Sequence, residues 1–242
     1  GTSLTLTATL SVATTADVTV TIGTAGTATE GTDYTDGSGN VNDITISAGN
    51  TTGTVSFTPT DDAADPVYEE NETAIISIDG VSGGSASESG TQSVTITITE
   101  NESAPTVTLT RSGASIAENA GSSVTLTATL SIKVDEAVTV ALSTSGAATE
   151  GTDYGTISDI TISAGSTTGT AAFDPTDDSV YEDDEVATIA IESVSGGGAS
   201  ESGTQSVAVT VTENESAPTV TLAVSATSIA ENAGTSLTLT AT

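Results

Sequence analysis

The chain nearly repeats itself. Its first nine residues, GTSLTLTAT, return as its last nine, Gly234–Thr242. "EGTDY" stands at Glu30–Tyr34 and Glu150–Tyr154, "NESAPTV" at Asn101–Val107 and Asn214–Val220, and "SIAENAG" at Ser115–Gly121 and Ser228–Gly234. The copies lie 120 residues apart early in the unit and 113 apart late in it. Two insertions in the first copy, near Asp36–Val41 and Ala63–Pro66, account for the difference. Repetition of this kind means one folding unit strung along the chain rather than a single large core. The expected division is a first repeat at 1–103 lacking its first strand, a complete second repeat at 104–216, and the start of a third at 217–242. The whole reads as a window on a longer array.

Inside each unit the apolar residues alternate with polar ones, the period of a half-buried strand. In the second copy Val124, Leu126, Ala128 and Leu130 share one face, with Thr125, Thr127 and Thr129 on the other. Val138–Leu142, Ile160–Ile162, Ala171–Phe173, Ala187–Ile191 and Val207–Val211 follow, and Val107–Leu109 precedes them. The first copy runs the same way through Leu4–Leu10, Val18–Ile22, Ile44–Ile46, Val55–Phe57, Ala74–Ile78 and Val94–Ile98. No helical period occurs. The predicted fold is all-β: tandem immunoglobulin-like antiparallel β-sandwiches of about seven strands each.

If successive strands reverse direction, connections 1–2, 3–4 and 5–6 and the exit from the seventh strand meet at one pole. The acids sort onto that pole. Glu118 lies in connection 1–2, Glu150 and Asp153 in 3–4, and Asp177, Asp178, Glu182, Asp183, Asp184 and Glu185 in 5–6. Glu213, Asn214 and Glu215 follow the seventh strand. The opposite pole holds only Asp135 and Glu136 beside Lys133, and then Glu201.

Such crowding needs a reason, because the chain has 33 acidic residues, two basic ones (Arg111 and Lys133) and a formal charge of −31. Two carboxylates about 4 Å apart repel by roughly 4 kcal/mol at an effective dielectric near 20. Several such pairs exceed the roughly 5–15 kcal/mol that holds a small domain together. Either the loops splay into water or a cation neutralises them. Without cysteine, histidine or methionine there is no soft donor for zinc, iron or copper. Oxygen donors in this number select Ca²⁺ over Mg²⁺, which takes fewer ligands in stricter geometry. Two or more Ca²⁺ per complete domain are expected.

The same composition excludes other partners. Nucleic acid and anionic membrane surfaces both require basic residues, and no apolar run is long enough for membrane insertion in this segment. Disorder, common in acidic chains, is contradicted by the ordered alternation and by a charged fraction of only 14%.

At these residues the chain resembles the Calx-beta domain, the calcium-binding sandwich of sodium–calcium exchanger regulatory regions and many bacterial surface proteins. The likeness rests on "SIAENAG", "EGTDY", "ITISAGSTTGT", "PTDD" followed by "YEDDE", and "TENES", in that order. It implies metal ligands at Glu118, Asp153, Asp177, Asp178, Glu182, Glu185 and Glu215 in the second repeat. In the first it implies Asp33, Asp61, Asp62, Glu69, Glu72 and Glu102. Glu100, Asn101, Glu213 and Asn214 join them as neighbours on the closing "TENES", with the asparagines offered as carbonyl donors, and Glu231 as the third repeat's counterpart of Glu118. The exchanger modules end in a run of aspartates where this chain has Glu-Asn-Glu.

Three functional classes meet these observations. The first is a calcium-rigidified structural repeat of a secreted, cell-surface array such as an adhesin stalk or filament. Its partners would be its neighbouring repeats, further copies in a filament, or a surface ligand at a distal tip. The second is a regulatory calcium sensor. The third, an enzyme, is disfavoured: paired carboxylates suit a glycosidase, but the chain has no tryptophan platform, and no histidine or cysteine for most other acid–base or nucleophilic chemistry. The threonine runs suit the wet face of strands better than an ice-binding face. The N-x-[ST] matches at Asn50, Asn71, Asn101 and Asn214 are common by chance in so Thr- and Ser-rich a chain.

Overall fold

The computed structural model describes residues 2–62 and 66–242. The insertion near Ala63–Pro66 thus falls largely outside the described residues. Strands form where the alternation runs. In the first repeat they are β1 (Leu4–Thr9), β2 (Val18–Gly26), β3 (Tyr34–Thr35), β4 (Ile44–Ile46), β5 (Thr52–Pro59), β6 (Val67–Tyr68), β7 (Glu72–Ser82) and β8 (Ser93–Ile98). The second contains β9 (Thr106–Arg111), β10 (Ser115–Ala117), β11 (Val124–Leu130), β12 (Lys133–Val134), β13 (Val138–Gly146), β14 (Ile160–Ile162), β15 (Thr168–Phe173), β16 (Glu185–Ser195), β17 (Ser200–Glu201) and β18 (Ser206–Thr212). The tail forms a hairpin of β19 (Leu222–Val224) and β20 (Leu239–Ala241). No helix occurs among the described residues.

The second repeat is a two-layer sandwich. One sheet runs β10-β18-β16-β13-β14 and the other β15-β11-β9-β17. Val124, Leu126, Ala128 and Leu130 of β11 share one buried cluster with Val138, Val140, Ile160, Ile189 and Val209. One aromatic stack stands in this otherwise aliphatic core. Tyr154 lies on Phe173 with ring centroids 4.6 Å apart, and Tyr34 on Phe57 repeats this in the first copy. Two of the four tyrosines are therefore core residues sited directly beneath the acidic loops.

Most pairing is antiparallel. The exceptions involving the second repeat include the parallel pairs of β10 with β18, β17 with β9, and β12 with β6 of the first repeat. A register shift between Ala141 and Leu142 bulges β13 against β16, and the Leu142 N–H turns to the Asp159 carboxylate at 3.2 Å. The first repeat copies this at Ile22 and Asp43, 3.0 Å. At the end of β13, Gly146 has φ +121° and passes so close to β16 that a Cβ would stand 2.1 Å from the Val186 carbonyl oxygen. Only glycine permits that crossing, which delivers the Thr149–Asp153 turn to the acidic pole.

The first repeat has the sheets β4-β2-β7-β8 and β1-β5-β3. β1 has β5 on one side, and no strand among the described residues takes the place that β9 holds beside β11. A groove of about 1140 Å³ runs there, lined by Leu6, Ala8, Leu10, Val20, Ile22, Ile78 and Ile96 among others. The two repeats pair in parallel through β6 and β12, and Tyr68 of the first packs against the core of the second.

Candidate metal centre

The acidic pole of the second repeat is built on strand ends. Glu118 directly follows β10, and its N–H donates to the Thr212 carbonyl at 3.1 Å, which pins this loop to the end of β18. Its side chain is only 7% exposed. Burial pushes its carboxyl pKa up, and the charges of Glu213, Asp178 and Asp177 push the same way, against a hydrogen bond from the Asp178 backbone. Carboxylate oxygens of Glu118, Glu213 and Glu215 all lie within 4.8 Å of one another.

Glu213 anchors the group. It accepts the backbone N–H groups of Glu215 and Asn214, each at 2.7 Å, and that of Glu182. These bonds, led by that from Glu215, hold its pKa down to about 2. Glu215 is pushed upward, first by its hydrogen bond with Glu213, then by burial and the charges of Glu213, Glu118 and Asp177. Its Oε2 is buried with no hydrogen-bond partner among the described residues. An unsatisfied buried carboxylate oxygen costs more than an ordinary missing bond.

Asp153, 8% exposed, accepts the Thr149 N–H at 2.5 Å. Glu182 and Glu185 close the ring, both with pKa values raised by burial and by Asp153 beside them. Glu118, Asp153, Glu182, Glu185 and Glu213 surround a hollow of about 10 Å³, room for one water-sized occupant. Asp177 and Asp178 lie at the exposed rim.

The first repeat reproduces the plan. Asp33, Glu69 and Glu72 form one group of close carboxylates, and Asp61, Asp62 and Glu102 a second. Most of these residues, with Glu100 and Asn101, line a hollow of about 110 Å³. Glu69 is pushed up to about 7 by burial, then by Asp33, Glu72, Asp135 and Asp62. Glu102 reaches about 7 through its hydrogen bond with Glu100, then burial and charge. Burial and Asp33 raise Glu72. For Glu100 burial acts upward, but hydrogen bonds from Glu102, Glu69 and Asn101 outweigh it and lower the pKa.

Every donor is an oxygen, several are carboxylates pressed together, and one buried oxygen has no hydrogen-bond partner among the described residues. This set fits a hard divalent cation with many oxygen ligands. Asn101, Asn214 and Glu231 stand outside these groups of close carboxylates. Asn101 and Asn214 are exposed and donate their side-chain N–H groups to Glu102 (3.3 Å) and Glu215 (3.0 Å). A neutral amide beside an unbalanced carboxylate turns its N–H toward the charge. Glu231 stands exposed in a turn and joins no acidic group among the described residues. The loops that enclose Glu118 have no counterpart after it in these 242 residues.

One residue escaped the sequence reading. Asp135, at the opposite pole of the second repeat, bears by its charge on Glu69 and Glu72 of the preceding repeat. Nothing within a single unit signals this, because the contact exists only between units.

The pKa directions carry a pH dependence. Glu69 and Glu102 keep their protons up to about pH 7 when folded, against an unfolded value near 4.3. Their protonated forms favour the fold, so the stability they supply is present below about pH 4.3 and lost as pH rises through about 7. Glu213, with its low pKa, loses its contribution only as pH falls toward about 2. Metal-free protein is therefore expected to melt at a lower temperature at pH 8 than at pH 5. Saturating calcium, which binds the ionised carboxylates, should reverse that order. Melting scans at both pH values, with chelator and with calcium, check both signs.

A β-sandwich that gathers carboxylates from alternate loops at one pole presents a donor set suited to a hard cation. Residues 4–102 match the Calx-beta domain family. Residues 103–216 match the LapA domain family. Similar solved structures include the apo form of the Calx CBD1 domain (18% identity, TM-score 0.39, covering 46% of this chain and 99% of that one). They also include CBD12 from CALX1.2 (17%, 0.36, 86% and 92%) and the calcium binding domain CBD12 of CALX1.1 (13%, 0.35, 86% and 92%). No curated protein matches the chain.

Proposed function

We propose that this chain is a run of calcium-binding structural repeats from a long extracellular filament or adhesin stalk, with two or more Ca²⁺ at the acidic pole of each complete domain. The observation that carries the reading is the buried, unpartnered Oε2 of Glu215 beside Glu118 and Glu213. A cation there satisfies the orphaned oxygen and removes the mutual repulsion together. In the second repeat the ligands are Glu118, Asp153, Glu182, Glu185, Glu213 and Glu215, with Asp177 and Asp178 at the rim. In the first they are Asp33, Asp61, Asp62, Glu69, Glu72, Glu100 and Glu102. The domain boundaries follow the repeat, at 1–103, 104–216 and 217–242.

Calx-beta domains are calcium-binding modules, and the LapA match supports an adhesin-type role at the cell surface. Chemistry is not required of such a module; it binds. Outside cells calcium is abundant, so dissociation constants of about 10⁻⁴–10⁻³ M suffice.

Calcium titration of the chain and of two variants tests the reading. Glu118→Gln is expected to weaken binding in the second repeat about tenfold or more, roughly 1.4 kcal/mol. Glu192→Gln, exposed on β16 away from the pole, should leave binding unchanged. Equal losses in both would mean diffuse charge rather than a site. Micromolar affinity would favour a regulatory sensor over a structural repeat.

A further inference from the structure

The contact between the two repeats is built from few parts. Val67 and Tyr68 of β6 pair in parallel with Lys133 and Val134 of β12. Tyr68 packs against the core cluster of the second repeat, and Val134 is fully buried. The ring occupies the space over Gly198, where a Cβ would stand 2.7 Å from Tyr68 Cε1 and 3.1 Å from its hydroxyl. Both ends of the arm are held by carboxylates of its own repeat. The Val67 N–H goes to Asp62 and the Glu69 N–H to Glu100.

The second repeat carries the same arm with the same anchors. The Val180 N–H goes to Asp178 at 2.6 Å, and the Glu182 N–H to Glu213. Here the arm has nothing over it: Val180 is 59% exposed and Tyr181 39%. Residues 217–242 correspond to 104–129 and stop short of the segment equivalent to β12.

The receiving turn differs between the copies by one residue. Gly83, Gly84 and Ser85 have φ of 87°, 53° and 57°; Gly196, Gly197 and Gly198 have 93°, 52° and 59°. Ser85 thus holds the backbone conformation of Gly198 but adds the Cβ that Tyr68 leaves no room for.

We propose that the Val-Tyr arm is a docking element that fastens each repeat to the next, and that glycine at the position of Gly198 is the condition for its entry. The partner of Val180–Tyr181 is then a following repeat that presents a free strand edge like β12 and a glycine in that turn. The joint stands on these contacts, independent of the calcium reading. Its link to calcium rests on that reading, because Asp62, Glu69 and Glu100 both anchor the arm and belong to the acidic pole. Asp135 faces Glu69 and Glu72 across the joint, so metal-free repeats repel where they touch.

The chain has no cysteine, which makes site-directed spin labelling clean. Labels at Asn50→Cys and Ser123→Cys, both exposed, report the distance between repeats by pulsed electron resonance in the 242-residue chain with calcium. A narrow distribution is expected, widening roughly twofold in Gly198→Ser and in Tyr68→Ala, since domains without a firm interface move by default. Ser85 shows that the turn accepts serine, so Gly198→Ser keeps the fold, and the second variant removes the same contact from the other side. The calcium-induced rise in melting temperature should persist in both. A broad distribution in the parent chain, or a narrow one in either variant, overturns the joint. A melting temperature indifferent to calcium with a narrow parent distribution would overturn the calcium reading alone.

Discussion

Chelation is expected to lower the melting temperature of this chain by about 20 °C or more. An ion that binds only the folded form at a hundred-fold excess over its dissociation constant stabilises by about 2.7 kcal/mol. Two ions per domain give about 5 kcal/mol, and each kcal/mol moves a domain of this size by roughly 4–8 °C. The effect is large because the rest of the fold is thin. Each repeat has one aromatic stack over an interior of Val, Ile, Leu and Ala. A scanning melt in excess EDTA and in 10 mM calcium decides it. Transitions within a few degrees of each other would show that the acidic pole is solvated rather than metal-bound.

The second large effect concerns the groove of the first repeat. In the second repeat the equivalent position is filled by β9, whose Val107 and Leu109 are 0% and 5% exposed. Its register is set by Val107 opposite Leu130 and Leu109 opposite Ala128. A copy of residues 104–120 joined ahead of Gly1 would set the same two side chains against Leu10 and Ala8. Burying a valine and a leucine is worth about 1.5–3 kcal/mol each, so the first repeat should melt roughly 10 °C or more higher. The added segment also supplies the counterpart of Glu118, so calcium affinity of the first repeat should rise with it. Replacing the grafted Val and Leu by Ser should abolish the gain in stability. If it persists, the strand is not in the groove.

Why the fold was so legible follows from its strands. Period-two alternation in β2, β7, β11, β13, β16 and β18 places one face in the core whatever the surroundings, so local pattern and tertiary structure agree. The same regularity made the poles readable: strands that reverse in turn send alternate loops to one end, and Glu118, Asp153, Glu182 and Glu213 were brought together by counting alone. What escaped was whatever the alternation does not encode. Strands of two residues, β3, β6, β12 and β17, are too short to show a period. Asp43 and Asp159 serve bulges, which are visible only as a shift in register. The four tyrosines look alike in sequence, yet Tyr34 and Tyr154 are core, Tyr68 is docked and Tyr181 is exposed. Asp135 belongs to a contact between units, which a reading made one unit at a time does not reach.

The parallel pair of β10 with β18 matters when the chain is pulled. Ser115, Ile116 and Ala117 lie beside Thr210, Val211 and Thr212, close to where the chain enters and leaves the second repeat. Tension applied through the two ends draws these strands past each other along their length. Their hydrogen bonds are then loaded together, whereas a hairpin pulled at its open end loses them one by one. The bonds from Thr210 N–H to the Ala114 carbonyl and from Glu118 N–H to the Thr212 carbonyl share the load at either end. A cation bridging Glu118 to Glu213 and Glu215 would sit directly beyond that last bond, tying the same two segments together in the line of force. Resistance to forced unfolding is set by the unfolding rate rather than by equilibrium stability, so the place of such a cation along the load path would matter as much as its affinity.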